Sequence, residues 1–442
     1  MKIGLVGSGG REHAIAKTLM KIPNRDSLFV YGSHHNPGIE RVAKSSKVGD
    51  FRDVERIGDF FSSNGVELVV IGPEVPLIAG ASDHLRSNGM KVIGPTRAQA
   101  QLEGSKIFMR DLMKRRVKKG TLAWREVRDV ASARDFIAEV GQVAVKPVGL
   151  TGGKGVWVMG VHFDTVDAAL EKVEYLIQTD GILLLEERLI GEEFSRMAFV
   201  SNNTISPMPV AQDFKYAYDG DQGGMTGGMG SYTMADGSMP FLNKDDLEQA
   251  DAILQETVTA IEEETGEDYR GFLYGQFMAT ADGVRVIEYN VRLGDPEAIN
   301  VMALLNMDTA ILFEEIAEGI LKKEEINFFH QASICKYLVP SAYPASSKEQ
   351  AVIEINEKEI EEAGFSVIYA SVAQKDIGLE TLGSRAVALI GLGENVFELS
   401  DKMEEMLKQV EPPTIRHRKD IGDERVIRAK IQKMKELRGM SS

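Results

Sequence analysis

The chain has 442 residues and a formal net charge of −16, which argues against an extended nucleic-acid partner, because such binding depends on cations displacing counterions. Hydrophobic residues at 43% and charged residues at 27% provide ample core material and exclude a disordered, collagen-like or disulfide-dependent chain. The length predicts about three domains at roughly 150 residues each. The single cysteine, Cys335, rules out an internal disulfide and cysteine-rich zinc sites. The opening MKIGLVGSGGREH turns at once into a glycine-rich loop, without a signal-peptide pattern. No run approaches the roughly 18 apolar residues of a spanning helix, so the expected compartment is the cytoplasm, with no membrane partner.

Residues 2–100 alternate strand and helix patterns: KIGLV, a glycine loop, REHAIAKTLMKI, LFVYG, a helix around VERIGDFFSSNG, then ELVVIGPE and MKVIGP. This predicts βαβ units and a parallel sheet, with functional loops at the strands' carboxyl ends, where residues 7–11, 72–74 and 94–96 fall. A second region opens with the basic helix GSKIFMRDLMKR and continues through VAVKP and GVWVM around the glycine-rich loop 149–155. LLLEERL, AFVSN and TISPMPV follow, then an irregular segment 219–230, an acidic helix around 247–264, and GFLYGQFMAT paired with GVRVIEYNV at Asp282-Gly283. Antiparallel strands with helices make this part α+β. From about Asn327, ASICKYLV, VIEI, SVIYASVA, RAVALIGLG and the helix FELSDKMEEMLKQV predict a smaller α+β domain, with 340–347 a loop.

Five segments carry candidate chemistry. GSGGREH follows a strand and opens a helix, where backbone N–H groups and the helix dipole hold an anion; a purely structural turn is the plainer alternative. A dinucleotide fits less well, since Glu12 replaces the third glycine of G-x-G-x-x-G. GLTGGKG carries Lys154 and reads either as a lid over a triphosphate or as a mobile hairpin, with Lys146 before it as a point charge for phosphate. In LLLEERLIGEEF, backbone groups from Glu186 to Leu189 suit an adenine edge and Glu193 suits ribose hydroxyls, although a solvated acidic turn has the same pattern. In VRVIEYNVRLGDPE a period of two sets Glu288, Asn290 and Arg292 on one face, with Ile287, Tyr289 and Val291 on the other. A carboxylate and an amide oxygen there suit a partial Mg²⁺ site, with Arg292 placed to clamp a carboxylate or acyl phosphate; the polar outer face of an edge strand is the alternative, and the tight GDPE turn that follows favours the site. QDFKYAYDGDQGGMTGGMGSY reads as a substrate loop, with Asp213 for a ligand ammonium and Lys215 for a phosphate or carboxylate; a disordered surface loop is the plainer alternative.

In order, GSGGREHA, GPEVPL, GPTRAQAQLEGSK, KPVGLTGGKGV, EERLIGEEFS, AQDFK, TGGMGSY, GFLYGQFM, NVRLGDPE and RHRKDIG resemble the phosphoribosylamine–glycine ligase family of the ATP-grasp superfamily almost from end to end. The resemblance implies a Rossmann-like α/β domain over 1–103, an ATP-grasp domain over 104–326 with a lid at about 122–193, and a small α+β domain over 327–442. It implies ATP with Mg²⁺ or Mn²⁺ as cofactors. It also implies glycine and 5-phosphoribosylamine as substrates, joined through glycyl phosphate in purine biosynthesis. Lys106, Lys146, Lys154, Glu186, Leu189 and Glu193 take the nucleotide roles, and Glu288 and Asn290 the metal roles. Gly9, Gly10, Arg11, Glu74, Lys215, Gly227 and Gly228 take substrate roles, with Asp213, Arg292 and Lys154 nearest the chemistry. Pro147-Val148, Thr151-Gly152, Gly224-Met225 and SRAVAL depart from the family pattern, which bears on lid closure and substrate preference. The expected assembly is a monomer or weak homo-oligomer. Competing readings are another carboxylate–amine ligase, a nicotinamide-dependent oxidoreductase, and a non-catalytic nucleotide-binding module.

Overall fold

The computed structural model describes residues 1–22, 27–149, 155–322, 326–345, 350–410, 412 and 414–440. A parallel sheet sets Ala43–Val48, Ser27–Gly32, Lys2–Val6, Leu68–Ile71 and Lys91–Ile93 side by side. Its central strand buries Ile3, Leu5 and Val6, as a parallel sheet's inner strands do. Ala43–Val48 is additional to the expected strands: AKSSKV is polar and half-exposed, which an edge position tolerates. The chain order reverses between Lys2–Val6 and Leu68–Ile71, so the loops 7–10 and 72–74 lie together at the switch point.

The second region holds two separate antiparallel sheets. One orders Thr204–Pro207, Glu192–Ser201, Arg270–Thr280 and Gly283–Asn290, with the helix Lys244–Thr265 packed against it. A bulge interrupts its last pair: Gln276 faces Glu288, but Phe277 faces Val286. The extra residue reverses the alternation. Val286, beside Ile253, and Tyr289, bonded to Thr257 at 2.7 Å, therefore both meet the helix, while Glu288 and Asn290 emerge together on the opposite face. Unbroken period two would have sent Val286 to the polar side.

The other sheet orders Trp124–Val127, Leu183–Glu187, Val143–Pro147 and Trp157–Val158. With the helices Val130–Val140 and Val166–Asp180 it forms its own core around Phe136, Ile137, Val143 and Leu185, distinct from the large core through the rest of the chain. Of the expected lid loop, residues 150–154, Lys154 included, lie outside the described residues.

The third sheet runs Gln212–Asp213, Gly230–Thr233, Ala332–Pro340, Val387–Gly393 and Phe365–Tyr369. The strand after the substrate loop, Gly230–Thr233, thus pairs directly with the C-terminal strand Ala332–Pro340. SVIYASVA divides into Phe365–Tyr369 and Val372–Gln374, which join different sheets. The irregular segment contains the strand Gln222–Met225, paired with Tyr216–Tyr218 as an isolated hairpin. After RHRKDIG comes a further helix, Glu424–Leu437, whose start is capped by Asp423.

Candidate active site

The strand LLLEE ends by burying Glu186, 2% exposed. Its carboxylate accepts Arg110 Nε and meets Lys146 Nζ, each at 2.6 Å. Arg110, 1% exposed on the helix Lys106–Leu112, also donates to the carbonyls of Val286 at 2.9 Å and Ile287 at 2.7 Å. Burial pushes the Glu186 carboxyl up, but Arg110 and Lys146 prevail and bring it down to about 2. The side chain therefore positions Lys146. In the stretch expected to read adenine, the Glu187 and Arg188 amides already donate to Ala123 and Gln142. Lys106 Nζ donates to the Gly149 carbonyl at 2.7 Å, just before the lid loop. Glu193 is half-buried, 3.1 Å from Gln276 Nε2 and 3.5 Å from Lys215 Nζ. Leu189 is half-buried beyond the end of that strand.

Glu288 faces the same side of the sheet as Gln276. Burial would raise its carboxyl, yet Lys215, Lys146, Lys106 and Arg292 hold it net below its ordinary value. Asn290 Oδ1 accepts Arg292 Nη2 at 3.0 Å. Among the described residues no cluster of three or more His, Cys, Asp or Glu forms a closed metal site. Two hard oxygen donors beside a group of cations fit a divalent metal shared with phosphates and water. Arg292 Nη2 also lies 2.9 Å from Glu103, and its Nε lies 3.3 Å from Glu74 without a hydrogen bond. Burial raises the Glu103 carboxyl to about 7.

Asp213 and Lys215 stand 3.9 Å apart. Burial raises Asp213 to about 7, against the opposing charge of Lys215 and with support from Glu297 and Glu193. Lys215 is held well above its ordinary value: burial opposes its charge, but Asp213, Glu193, Glu288 and Glu297 sustain it. Beneath them, buried Glu297 accepts the hydroxyls of Tyr274 at 2.8 Å and Ser195 at 3.1 Å. Sequence reasoning missed Arg110, Glu103 and Glu297. Only the last had a local signal, as the carboxylate ending the GDPE turn.

The first helix's expected phosphate nest is partly filled by the chain itself. The Gly9 amide donates to Glu12 at 2.7 Å, and Arg11 Nε to the same carboxylate at 2.5 Å. A Cβ at Gly7 or Gly72 would fall 2.3 or 2.2 Å from Glu12 atoms, so both glycines make room for that carboxylate. An anion arriving here competes with Glu12 for Gly9. Arg11 donates onward to Leu293 O at 2.9 Å. Nearby, Arg385 donates to the carbonyls of Gly227, Gly228 and Asp295 at 2.8, 3.0 and 2.7 Å. Tyr337, whose hydroxyl donates to Asp295 at 2.6 Å, sits so close to Gly10 that a Cβ there would lie 2.1 Å from it. The loops at 9–10 and 227–228 and the turn at Asp295 therefore meet.

Sequence models of phosphoribosylglycinamide synthetase match the chain in three parts: the N domain over residues 1–103, the ATP-grasp (A) domain over 104–298 and the C domain over 333–424. The phosphoribosylamine–glycine ligase of Methanopyrus kandleri is 42% identical over 448 residues, covering 99% of this chain and 100% of that protein. That of Pyrococcus furiosus is 42% identical over 440 residues, covering 99% and 98%. The crystal structure of phosphoribosylamine–glycine ligase from Thermotoga maritima is similar with a TM-score of 0.78 and 28% identity, covering 95% of this chain and all of that one. The biotin carboxylase domain of a Hydrogenobacter thermophilus 2-oxoglutarate carboxylase reaches 0.68 at 18% identity, covering 98% and 93%, a likeness of fold alone. With its parallel N domain, ATP-grasp domain and C domain, the chain belongs to the phosphoribosylamine–glycine ligase family.

Proposed function

We propose that this chain is an ATP-dependent carbon–nitrogen ligase that joins glycine to 5-phosphoribosylamine, using Mg²⁺ or Mn²⁺ and releasing ADP and phosphate, in purine biosynthesis. The observation that carries this reading is the meeting of Glu288, Asn290, Lys106, Lys146, Lys215 and Arg292 around one polar sheet face, in a chain of this family. Bound by Glu288 and Asn290, a divalent cation supplies charge neutralisation at the nucleotide's phosphates. Lys146, fixed by Glu186, and Lys106 add positive charge beside them. Glu193 accepts the ribose hydroxyls.

Asp213 receives the glycine ammonium, and Arg292 exchanges its loose contact with Glu74 for the glycine carboxylate. A carboxylate oxygen attacks the γ-phosphorus to give glycyl phosphate and ADP. The amine of phosphoribosylamine, placed between residues 9–11 and 227–228, then attacks the carbonyl carbon and expels phosphate. Catalysis is by positioning and charge, without a covalent enzyme intermediate.

The test is ADP release with glycine and freshly generated phosphoribosylamine, each omitted in turn and with the metal exchanged. Glycine labelled with ¹⁸O in both carboxylate oxygens must pass one label to phosphate, since the attacking oxygen becomes the bridging atom and leaves with the phosphoryl group. Unlabelled phosphate after net product formation excludes the glycyl phosphate route. ADP release triggered by another amino acid, and not by glycine, assigns the chain to a different carboxylate.

A further inference from the structure

RHRKDIG takes no part in the chemistry above, yet its residues are among the most heavily bonded in the molecule. Its side chains alternate in direction. His417 turns into its own domain, with Nε2 3.1 Å from both oxygens of Glu404. Glu404 also accepts Lys336 Nζ at 2.6 Å, and this buried lysine donates further to Ser400 at 3.2 Å and to the Lys419 carbonyl at 3.0 Å.

Arg416 and Arg418 turn the other way, onto the hairpin of Tyr216–Tyr218 and Gln222–Met225. Arg416 donates to Ala217 O at 2.6 Å and lies over the Tyr218 ring at 4.3 Å. Arg418, 1% exposed, donates to Tyr216 O at 3.1 Å and to Asp221 at 2.8 Å. Asp420 accepts the Gly220 amide at 2.9 Å, and the Lys419 amide donates to Asp219 at 2.8 Å. A two-stranded hairpin is marginal by itself. Here its backbone and turn are held by a segment about 200 residues later in the chain.

The hairpin leads directly into the substrate residues. Its neck is closed at Lys215, whose carbonyl accepts the amide and the hydroxyl of Thr226 at 2.7 and 2.8 Å. Phe214, between Asp213 and Lys215, has Arg418 and Lys430 each 4.7 Å from its ring. Phe214 and Lys215 form the link between the strand Gln212–Asp213 and the hairpin, so what holds Phe214 also limits where its two neighbours stand.

We infer that residues 416–420, with Lys430, form a brace that fixes the hairpin and, through Phe214, sets where Asp213 and Lys215 stand, making Arg418 a positioning residue for the glycine end of the reaction. Only the identity of the affected substrate rests on the proposed function; the brace itself does not.

The experiment pairs hydrogen exchange with steady-state kinetics on the full-length enzyme. Arg418→Lys keeps the charge and loses the fork. It should speed exchange in peptides covering 214–230 about tenfold and raise the KM for glycine about tenfold, with the KM for ATP changed by less than about twofold. Saturating glycine should restore most of kcat. Unchanged exchange in that segment, or exchange raised equally throughout with kcat lowered and both KM values intact, would overturn the inference. If Arg418→Lys is insoluble, Arg416→Ala, which removes the Ala217 and Tyr218 contacts together with the bonds to the Ser341 and Tyr343 carbonyls, must show the same local pattern. Should the wild-type enzyme release no ADP with glycine, the functional reading fails while the exchange comparison still decides the brace.

Discussion

The two sides of the candidate site are anchored in opposite ways. The sheet carrying Lys146 encloses its own small core and reaches the site through the Arg110, Glu186 and Lys146 ion cluster. The loop carrying Asp213 and Lys215 grows from a sheet shared with C-terminal strands and is bonded at its tip to Asp420 and Lys419. A unit with a separate core can tilt without unpacking the main one, whereas moving the substrate loop breaks buried charge pairs and hydrogen bonds together. Under the proposed function, nucleotide admission and substrate positioning then fall to two units with separate anchors.

The largest effect should come where both sides converge. Glu288→Ala removes an oxygen donor from the face that joins lid and substrate loop, and turnover should fall on the order of a hundred- to a thousandfold. Thermal unfolding of the main body should change little, because the residue faces cations and not the core. Initial rates and a melt on the same sample test it; near-normal turnover would remove the metal assignment.

Next is the ion cluster that attaches the Lys146 sheet. Glu186→Gln leaves Arg110 and Lys146 buried without their counter-charge, a change that costs about 3–5 kcal/mol in comparable buried pairs. The pH dependence has a fixed sign. A carboxyl held at about 2 in the fold, against its ordinary 4.5, contributes stability that is complete above the ordinary value and is lost as pH falls from there toward about 2. Denaturant unfolding between pH 5 and about 2 should lose this component in the variant; an identical acid profile would mean that the cluster does not couple folding to protons.

What could be read in the sequence was local. Glu288, Asn290 and Arg292 stood out because strand alternation and hard-oxygen chemistry need only neighbouring residues. The parallel sheet was legible because its inner strands are apolar runs between helical patterns. Arg110 was not, since KIFMRDLMKR reads as an ordinary basic helix and its burial depends on Glu186, 76 residues away. The bulge adds Ile287 to the strand GVRVIEYNV but leaves no mark in it, because the extra residue shows only in the register against Arg270–Thr280. The Glu12 carboxylate was read as a defect in a dinucleotide motif, whereas it caps its own helix. The sheet joining Gly230–Thr233 to Ala332–Pro340 is a pairing at long sequence separation, which no local pattern encodes.

The substrate side should show itself in pH. Asp213 is raised to about 7, so its ionised form, which binds an ammonium, is gained as pH rises through that value. The KM for glycine should fall by about tenfold between pH 6 and pH 8, and Asp213→Asn should bind glycine weakly with that dependence gone. The sign for folding is opposite: a raised carboxyl favours the fold while protonated, and its contribution is lost as pH rises through about 7. Asp213→Asn should thus be the more stable protein at pH 8. A flat glycine KM in the wild type would separate Asp213 from ammonium binding.

The smallest effect tests the separate core directly. Ile137 is buried against Phe136, Val143 and Leu185 in the small cluster, and Ile253 is buried in the large one. Ile→Val at either position removes one methylene group and should cost about 0.5–1.5 kcal/mol. The cost should register in different places. With a core of its own, the Lys146 sheet opens as a local unit, so Ile137→Val should speed hydrogen exchange in peptides from 123–185 and leave Phe194, Phe272 and their neighbours as protected as before. Ile253→Val should lower protection through the main body and shift the principal melting transition. Nucleotide adds a second condition: if the sheet closes on ATP, bound nucleotide should restore protection in the Ile137→Val protein, because ligand binding stabilises whichever state it favours. Equal loss of protection in both cores from Ile137→Val would show that they unfold as one, and the mechanical separation of the two sides would fall with it.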